Sequence, residues 1–241
     1  MKALLIGYGE VGQGIYEAFK YYHDIEIYDP EKGLDTIWDL PIDILLVAIP
    51  YSDVFVEQVK EFIQRADGAP AIVFSSVPIG TCKQIPAVHS PIEGDHTNMR
   101  KSILIHKRYM GGHSGKAYIF FKQAFCDVVQ LEEPDHTEFL KLRSTTIYGI
   151  NIEFARYSNA VAQKLGMDYQ DIKSYDEEYN RLTNRTERPD KQRYILDAPE
   201  GRIGGHCIIP NAKLLQKTYP YFMIEYLLLV DKILQEGGEI W

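Results

Sequence analysis

The sequence predicts an α/β fold: an N-terminal parallel sheet wound with helices, followed by an all-helical half. Three observations carry this. Short apolar runs alternate with helical patterns through Glu133; the first run ends in a glycine-rich turn; and from Pro134 helical periodicity takes over without further strands. Strands separated by single helices build βαβ units and therefore a parallel sheet. The expected units are residues 1–133 and 134–241, with the boundary near Glu133–Asp135.

Each element follows from local pattern. "KALLIGYG" is an apolar strand ending in glycines, and Ile15, Phe19 and Tyr22 mark a helix after it. "DIEIYD" reads as a second strand and "IDILLVAIP" as a buried third one ending at Pro50. "SDVFVEQVKEFIQRA" opens with Ser52 and Asp53, both good N-cap residues, and continues at helical spacing. "PAIVFSSV" is another buried strand. "SILIHKRYM" and "DVVQLEE" read as later strands flanking the helix "GKAYIFFKQAF". His136 to Gly166 is one long helix, and residues 175–192 are charge-rich, with irregular or weakly helical structure expected. "YFMIEYLLLVDKIL" is a helix apolar around most of its circumference.

Composition excludes several functions. The 241 residues are 45% hydrophobic and 25% charged, ordinary values for a globular chain with a real core. A formal charge of −8 and a pI near 5.4 argue against nucleic acid or an anionic membrane as partner. Cys82, Cys126 and Cys207 are too widely spaced for a disulfide framework or a zinc pattern. The N-terminus carries no signal-peptide pattern, and the most apolar segment is interrupted by Glu225 and Asp231, so the expected location is the cytoplasm. His89, His96, His106 and His113, with Glu93 and Asp95, match no compact ligand spacing; solvated loop histidines are the better reading, and no metal is expected.

Two motifs carry chemistry. "GYGEVG" places Gly7, Gly9 and Gly12 with Tyr8, Glu10 and Val11 between a strand and a helix. Gly7 permits a tight turn, Gly9 lets a pyrophosphate approach the backbone, and Gly12 allows close helix–strand packing. The helix N-terminus offers unpaired N–H groups to phosphates. Asp29 closes the second strand, where a carboxylate accepts from a ribose 2′-hydroxyl and repels a 2′-phosphate. The pattern thus points to NAD rather than NADP, with Pro50 and Ser76 at later strand ends as further cofactor-side positions. The second motif is "GRIGGHCIIPN", a cysteine set on a glycine turn before a proline. That thiol is a nucleophile, an oxidation-sensitive group or a small buried residue; His206 beside it acts on the thiol or supports the turn. Cys82, following "SSVPIG", is expected at a helix N-terminus, where its pKa would fall.

Taken in order, "GYGEVG", "SSVPIGT", "HSPIEG", "YMGG", "EFLKLRSTTIYGINIEFARYSNAVAQKLGMD" and "PEGRIGGHCIIPN" resemble segments of the UDP-glucose/GDP-mannose dehydrogenase family, from residue 3 to about residue 215. The resemblance implies a Rossmann domain, a helical dimerisation domain, NAD as cofactor and a nucleotide sugar, or a smaller alcohol, as substrate. It places Cys207 as the nucleophile that captures an aldehyde, Lys141 beside developing alkoxide charge, Glu93 as a general base and Ser76 where a threonine is usual. It also marks departures. Thr145 stands where the family has asparagine, and Asn211 stands where it has aspartate, so a carboxylate base is lost. The family's third domain has no counterpart in these 241 residues, which puts sugar binding and thioester hydrolysis in question. Prephenate and β-hydroxyacid dehydrogenases share the two-domain plan and form an alternative reading; a non-catalytic NAD-binding protein is another. The apolar helix at Tyr221–Gln235, together with His136–Leu165, predicts a two-fold homodimer.

Overall fold

The computed structural model describes residues 1–35, 41–94, 96–201, 203, 207–238 and 240. The chain divides into two compact units, Met1–Leu142 and Arg143–Trp241.

In the first unit the strands are β1 (Lys2–Ile6), β2 (Asp24–Asp29), β3 (Leu34–Asp35), β4 (Ile44–Val47), β5 (Ala71–Val73), β6 (Ala87–His89), β7 (Arg108–Gly111) and β8 (Val128–Leu131). Among the described residues they form one sheet in the order β3-β2-β1-β4-β5-β6-β7-β8. Pairing is parallel from β2 through β6 and again between β7 and β8; the β2–β3 and β6–β7 pairs are antiparallel. The fold is thus α/β with a Rossmann-type sheet, mixed rather than wholly parallel.

Strand side chains alternate between sheet faces, and both faces of the central strands are covered, so β1 after Lys2, β4 and β5 read as unbroken apolar runs. Leu5 and Leu46 enter one core with Ile15, Phe19 and Phe120, while Leu4, Ile6, Leu45 and Val47 enter the other with Phe55 and Val59. Each fully buried Leu, Ile or Phe contributes about 1.5–3 kcal/mol relative to exposure.

The helices on this unit are α1 (Glu10–Phe19), α2 (Phe55–Arg65), α3 (Met99–Ile105), α4 (Gly115–Gln123) and the start of α5 (Pro134–Leu165). "SILIHKRYM" is not one strand: its apolar half is α3, and β7 begins only at Arg108. Met99 and Ile103, one turn apart, bury against Gly14 of α1, so the run serves helix packing. Helix α2 starts at Phe55 rather than at Ser52 or Asp53, with no side-chain cap. Ser52 instead offers its carbonyl to the Phe55 N–H.

Helix α5 begins at Pro134, yet the division between the units falls nine residues later. Thr137, Glu138 and Lys141 bond to loops of the sheet, so the first turns of this helix belong with it. The second unit contains the remainder of α5, α6 (Tyr169–Arg185), α7 (Ile208–Thr218) and α8 (Phe222–Gln235). Of the stretch expected to be irregular or weakly helical, residues 175–185 are regular helix and 186–192 hold only a turn and the short 3-10 segment Pro189–Lys191. Asp168 caps α6 by accepting from the Gln170 N–H at 2.9 Å, and only Thr183 of this helix is buried. Tyr169, Ile172, Tyr175, Tyr179 and Leu182 recur at helical spacing, yet none is fully buried, and the charges between them dilute the stripe. Among the described residues, no helix is long and apolar enough to cross a membrane.

Candidate active site

The glycine turn is built as its spacing demands. Gly7 has φ +89°, and a Cβ there would lie 2.6 Å from the Ala48 carbonyl oxygen, so only glycine fits. A Cβ on Gly12 would collide with the Gly7 carbonyl. Gly9 differs: nothing lies within 4 Å of where its Cβ would stand. That open position borders the start of α1, where Gly9 is the N-cap and no side chain caps the helix. An exposed helix N-terminus with open space before it suits a phosphate.

Asp29, at the end of β2, accepts from the Tyr8 N–H at 2.8 Å through Oδ2. One carboxylate oxygen therefore fixes the loop, and the other is available to a hydroxyl. The sequence reading passed over Lys32, whose Nζ donates to the Tyr8 carbonyl at 2.6 Å. The only signal for it was a cation three residues past Asp29. Val11 and Tyr8 are half-buried, Glu10 and Pro50 exposed.

The first turns of α5 gather the loops that follow β5 and β6. Lys141 Nζ donates to the Ile92 carbonyl at 2.6 Å and stands 3.7 Å from Glu93 Oε2, so these two predicted residues meet. Glu138, fully buried, accepts from the N–H groups of Gly80 (2.6 Å) and Cys82 (2.7 Å). Burial pushes its carboxyl up, while those two N–H bonds hold it down.

Cys82 opens a short 3-10 turn, but its thiol is driven well above the usual range by burial and by the neighbouring Glu138. The lowered value expected at a helix N-terminus is therefore overturned. His89 is no solvated loop histidine either. It is fully buried in β6, with Nδ1 2.8 Å from the Thr137 hydroxyl and Nε2 3.1 Å from the Ser75 carbonyl. Burial lowers its pKa to about 4, so the ring is neutral. The Ser75 carbonyl must then receive Nε2–H, which leaves Nδ1 to accept from Thr137. Ser76, the next residue, is half-buried. His106 and His113 are exposed, and no group of metal-ligating side chains forms among the described residues.

In the second unit, Cys207 is the N-cap of α7 and half-buried. Gly204, Gly205 and His206 of its turn, like Asp95, lie outside the described residues. The structure brings Thr145 and Asn211 together: the Asn211 amide donates to the Thr145 hydroxyl at 3.0 Å. Arg156 was missed by the sequence reading because it looks like one more charge on a long amphipathic helix.

A Rossmann-type unit joined to a helical unit defines an α/β class shared by several dehydrogenases. No family model and no curated protein matches the sequence. Solved structures do match in fold. The chain is similar to a UDP-ManNAc dehydrogenase from Pyrococcus horikoshii, at 16% identity and TM-score 0.74, over 98% of this chain and 69% of that one. It is similar to a UDP-glucose dehydrogenase from Pyrobaculum islandicum at 13% identity and TM-score 0.69, over 96% and 68%. It also matches a 3-hydroxyisobutyrate dehydrogenase from Mycobacterium tuberculosis at 11% identity and TM-score 0.68, over 98% and 93%. At such identities the likeness establishes a common fold.

Proposed function

We propose that this chain is a nicotinamide-dependent dehydrogenase that oxidises an alcohol, a nucleotide sugar or a smaller hydroxy compound, with Cys207 as nucleophile. The observation that carries the reading is the Gly7–Gly12 turn: a backbone-only cradle, open at Gly9, with Asp29 fixed beside it. When bound, the dinucleotide supplies a hydride acceptor. Gly9 and the N-terminal amides of α1 would hold its pyrophosphate, and Asp29 would accept from a ribose hydroxyl, which favours NAD over NADP.

The remaining residues handle substrate and protons. Glu93 accepts the hydroxyl proton as the alcohol is oxidised. The Lys141 ammonium steadies negative charge on the reacting oxygen, an electrostatic role of the kind that dominates many active sites. Cys207 sulfur adds to an aldehyde carbon; the carbonyl π pair moves to oxygen, which takes up the proton the thiol gives up, giving a hemithioacetal. Ser76 offers its hydroxyl on the cofactor side of the first unit. Thr145 and Asn211 bond to each other and supply no carboxylate, so a cleavage step that needs a base there is slowed. The protein works in the cytoplasm as a homodimer.

A hydroxyacid dehydrogenase is a second reading. It is supported by coverage of nearly the whole of the mycobacterial structure and by a lysine at position 141, which suits that chemistry.

Calorimetric titration with NAD and NADP, then turnover with a panel of UDP-sugars and hydroxy acids, tests both. NAD binds more tightly than NADP on this reading, and Asp29→Ala narrows the gap. Equal affinities in the parent protein would sink the cofactor assignment, and turnover of hydroxy acids alone would select the second reading.

A further inference from the structure

Residues 192–201 form no helix or strand, so their backbone carbonyls need donors from elsewhere. Arg156, on α5, supplies two. Its Nε donates to the Pro199 carbonyl at 2.8 Å, and its Nη2 donates to that of Gly201. Nη1 binds Glu153 at 2.6 Å, and both side chains are nearly fully buried. A planar guanidinium forked across two carbonyls with a carboxylate behind it is a rigid anchor.

On the far side of the turn, Ile208 packs over Gly149. A Cβ on Gly149 would lie 2.5 Å from Ile208 Cγ2 and 3.1 Å from Leu227 Cδ2. Asn211, one turn further along α7, bonds Thr145. Thr145, Gly149 and Arg156 all fall on one face of α5, because eleven residues make about three turns. Gly201, Ile208 and Asn211 are therefore all held against one face of α5, and Cys207 lies between the first two in sequence.

We propose that Arg156 and Gly149 are positioning residues for Cys207: α5 holds Pro199 and Gly201 through the Arg156 fork on one side of it in sequence, and Ile208 through the close Gly149 contact on the other. The consequence for catalysis rests on reading Cys207 as the nucleophile; the clamp itself does not.

The test is iodoacetamide labelling of the native full-length protein, resolved by peptide mass, with buried Cys82 and Cys126 as internal controls. In Arg156→Gln and Gly149→Ala, Cys207 labels faster by about threefold or more, as expected for local loosening of one segment. Both controls stay protected. Arg156→Lys, which keeps a cation and one donor, falls between parent and glutamine variant. An unchanged or slower Cys207 rate in folded variants overturns the proposal. So does a rise in Cys207 labelling that tracks a loss of helix content by circular dichroism, which would signal destabilisation of the whole second unit. Gly149→Ala also restores helix propensity, so it reports even if Arg156→Gln does not fold. Failure of the parent to bind or turn over a dinucleotide would refute the dehydrogenase reading and leave this result standing.

Discussion

The Asn211 side-chain amide donates to the Thr145 hydroxyl at 3.0 Å. These are the two positions at which the sequence departs from the asparagine and aspartate of the family it resembles, and they face one another. The departures are thus a matched pair, an amide and a hydroxyl that satisfy each other beneath a nearly closed surface. Asn211 is only 3% exposed, so an unpaired amide there is costly. Thr145→Val is expected to destabilise by about 1–3 kcal/mol, the desolvation cost of one buried polar group. Combined with Asn211→Ala in a urea-unfolding double-mutant cycle, the pair should show a coupling of about 1 kcal/mol. Strict additivity would mean that the bond contributes nothing.

Gly9 and Gly12 separate ligand binding from folding. The Cβ position of Gly9 faces open space, whereas a Cβ on Gly12 meets the Gly7 carbonyl. Gly9→Val should keep the parent melting temperature within a few degrees while, on the proposed reading, weakening NAD binding about tenfold or more, since the branched side chain fills the open space before α1. Gly12→Ala should lower the melting temperature outright. Thermal unfolding and calorimetry on both variants check this; a Gly9→Val protein with parental affinity would remove the dinucleotide from this turn.

His89 sets a pH dependence with a definite sign. Its folded pKa is about 4 because burial disfavours the charged ring, against about 6.5 in an unfolded chain. Between those values the unfolded state binds the extra proton. Stability is complete above about pH 6.5 and is lost as pH falls towards 4, by about 3 kcal/mol in all. Urea unfolding at pH 7.5 and pH 4.5 measures the loss, and His89→Asn should flatten it, although other groups add their own slopes. A parent protein equally stable at both values would contradict a neutral, buried His89.

Why some of this was legible in the sequence and some not is a matter of range. Gly7, Gly9, Gly12 and Asp29 act through local backbone geometry at fixed spacing, so their pattern sufficed. The buried strands were legible because burial on both faces leaves no polar alternation. Met99–Ile105 misled because a short apolar run serves helix or strand equally well, and here Gly14 of a distant helix decided the matter. Helix α6 was obscured because its apolar positions, Tyr169 to Leu182, are interleaved with charges, and a side-chain cap and surface ion pairs help to support it. Glu138, His89 and Arg156 were invisible for a different reason. Each is an ordinary polar residue whose role lies in carbonyl or N–H partners 14 to 58 positions away, and no periodicity encodes such partners.

The last prediction concerns assembly. On α8, Phe222, Tyr226 and Leu229 are 66%, 39% and 52% exposed, and their spacing of four and three residues sets them on one face. Their neighbours Ile224, Leu227 and Val230 are buried, so this helix is apolar on two sides and covered on one. On α5, Phe154 and Tyr157 are 67% and 45% exposed, with ring centroids 6.1 Å apart. Aromatic and leucine side chains collected in this way mark a surface that associates, and a two-fold pairing of identical faces is the commonest solution. Light scattering at micromolar concentration should return twice the 27.7 kDa chain mass. Phe222→Glu with Leu229→Glu should shift the protein to monomer without loss of helix content, since neither side chain is buried in the single chain. A parent mass near 27.7 kDa would refute the dimer, and a double variant still of doubled mass would move the interface away from α8.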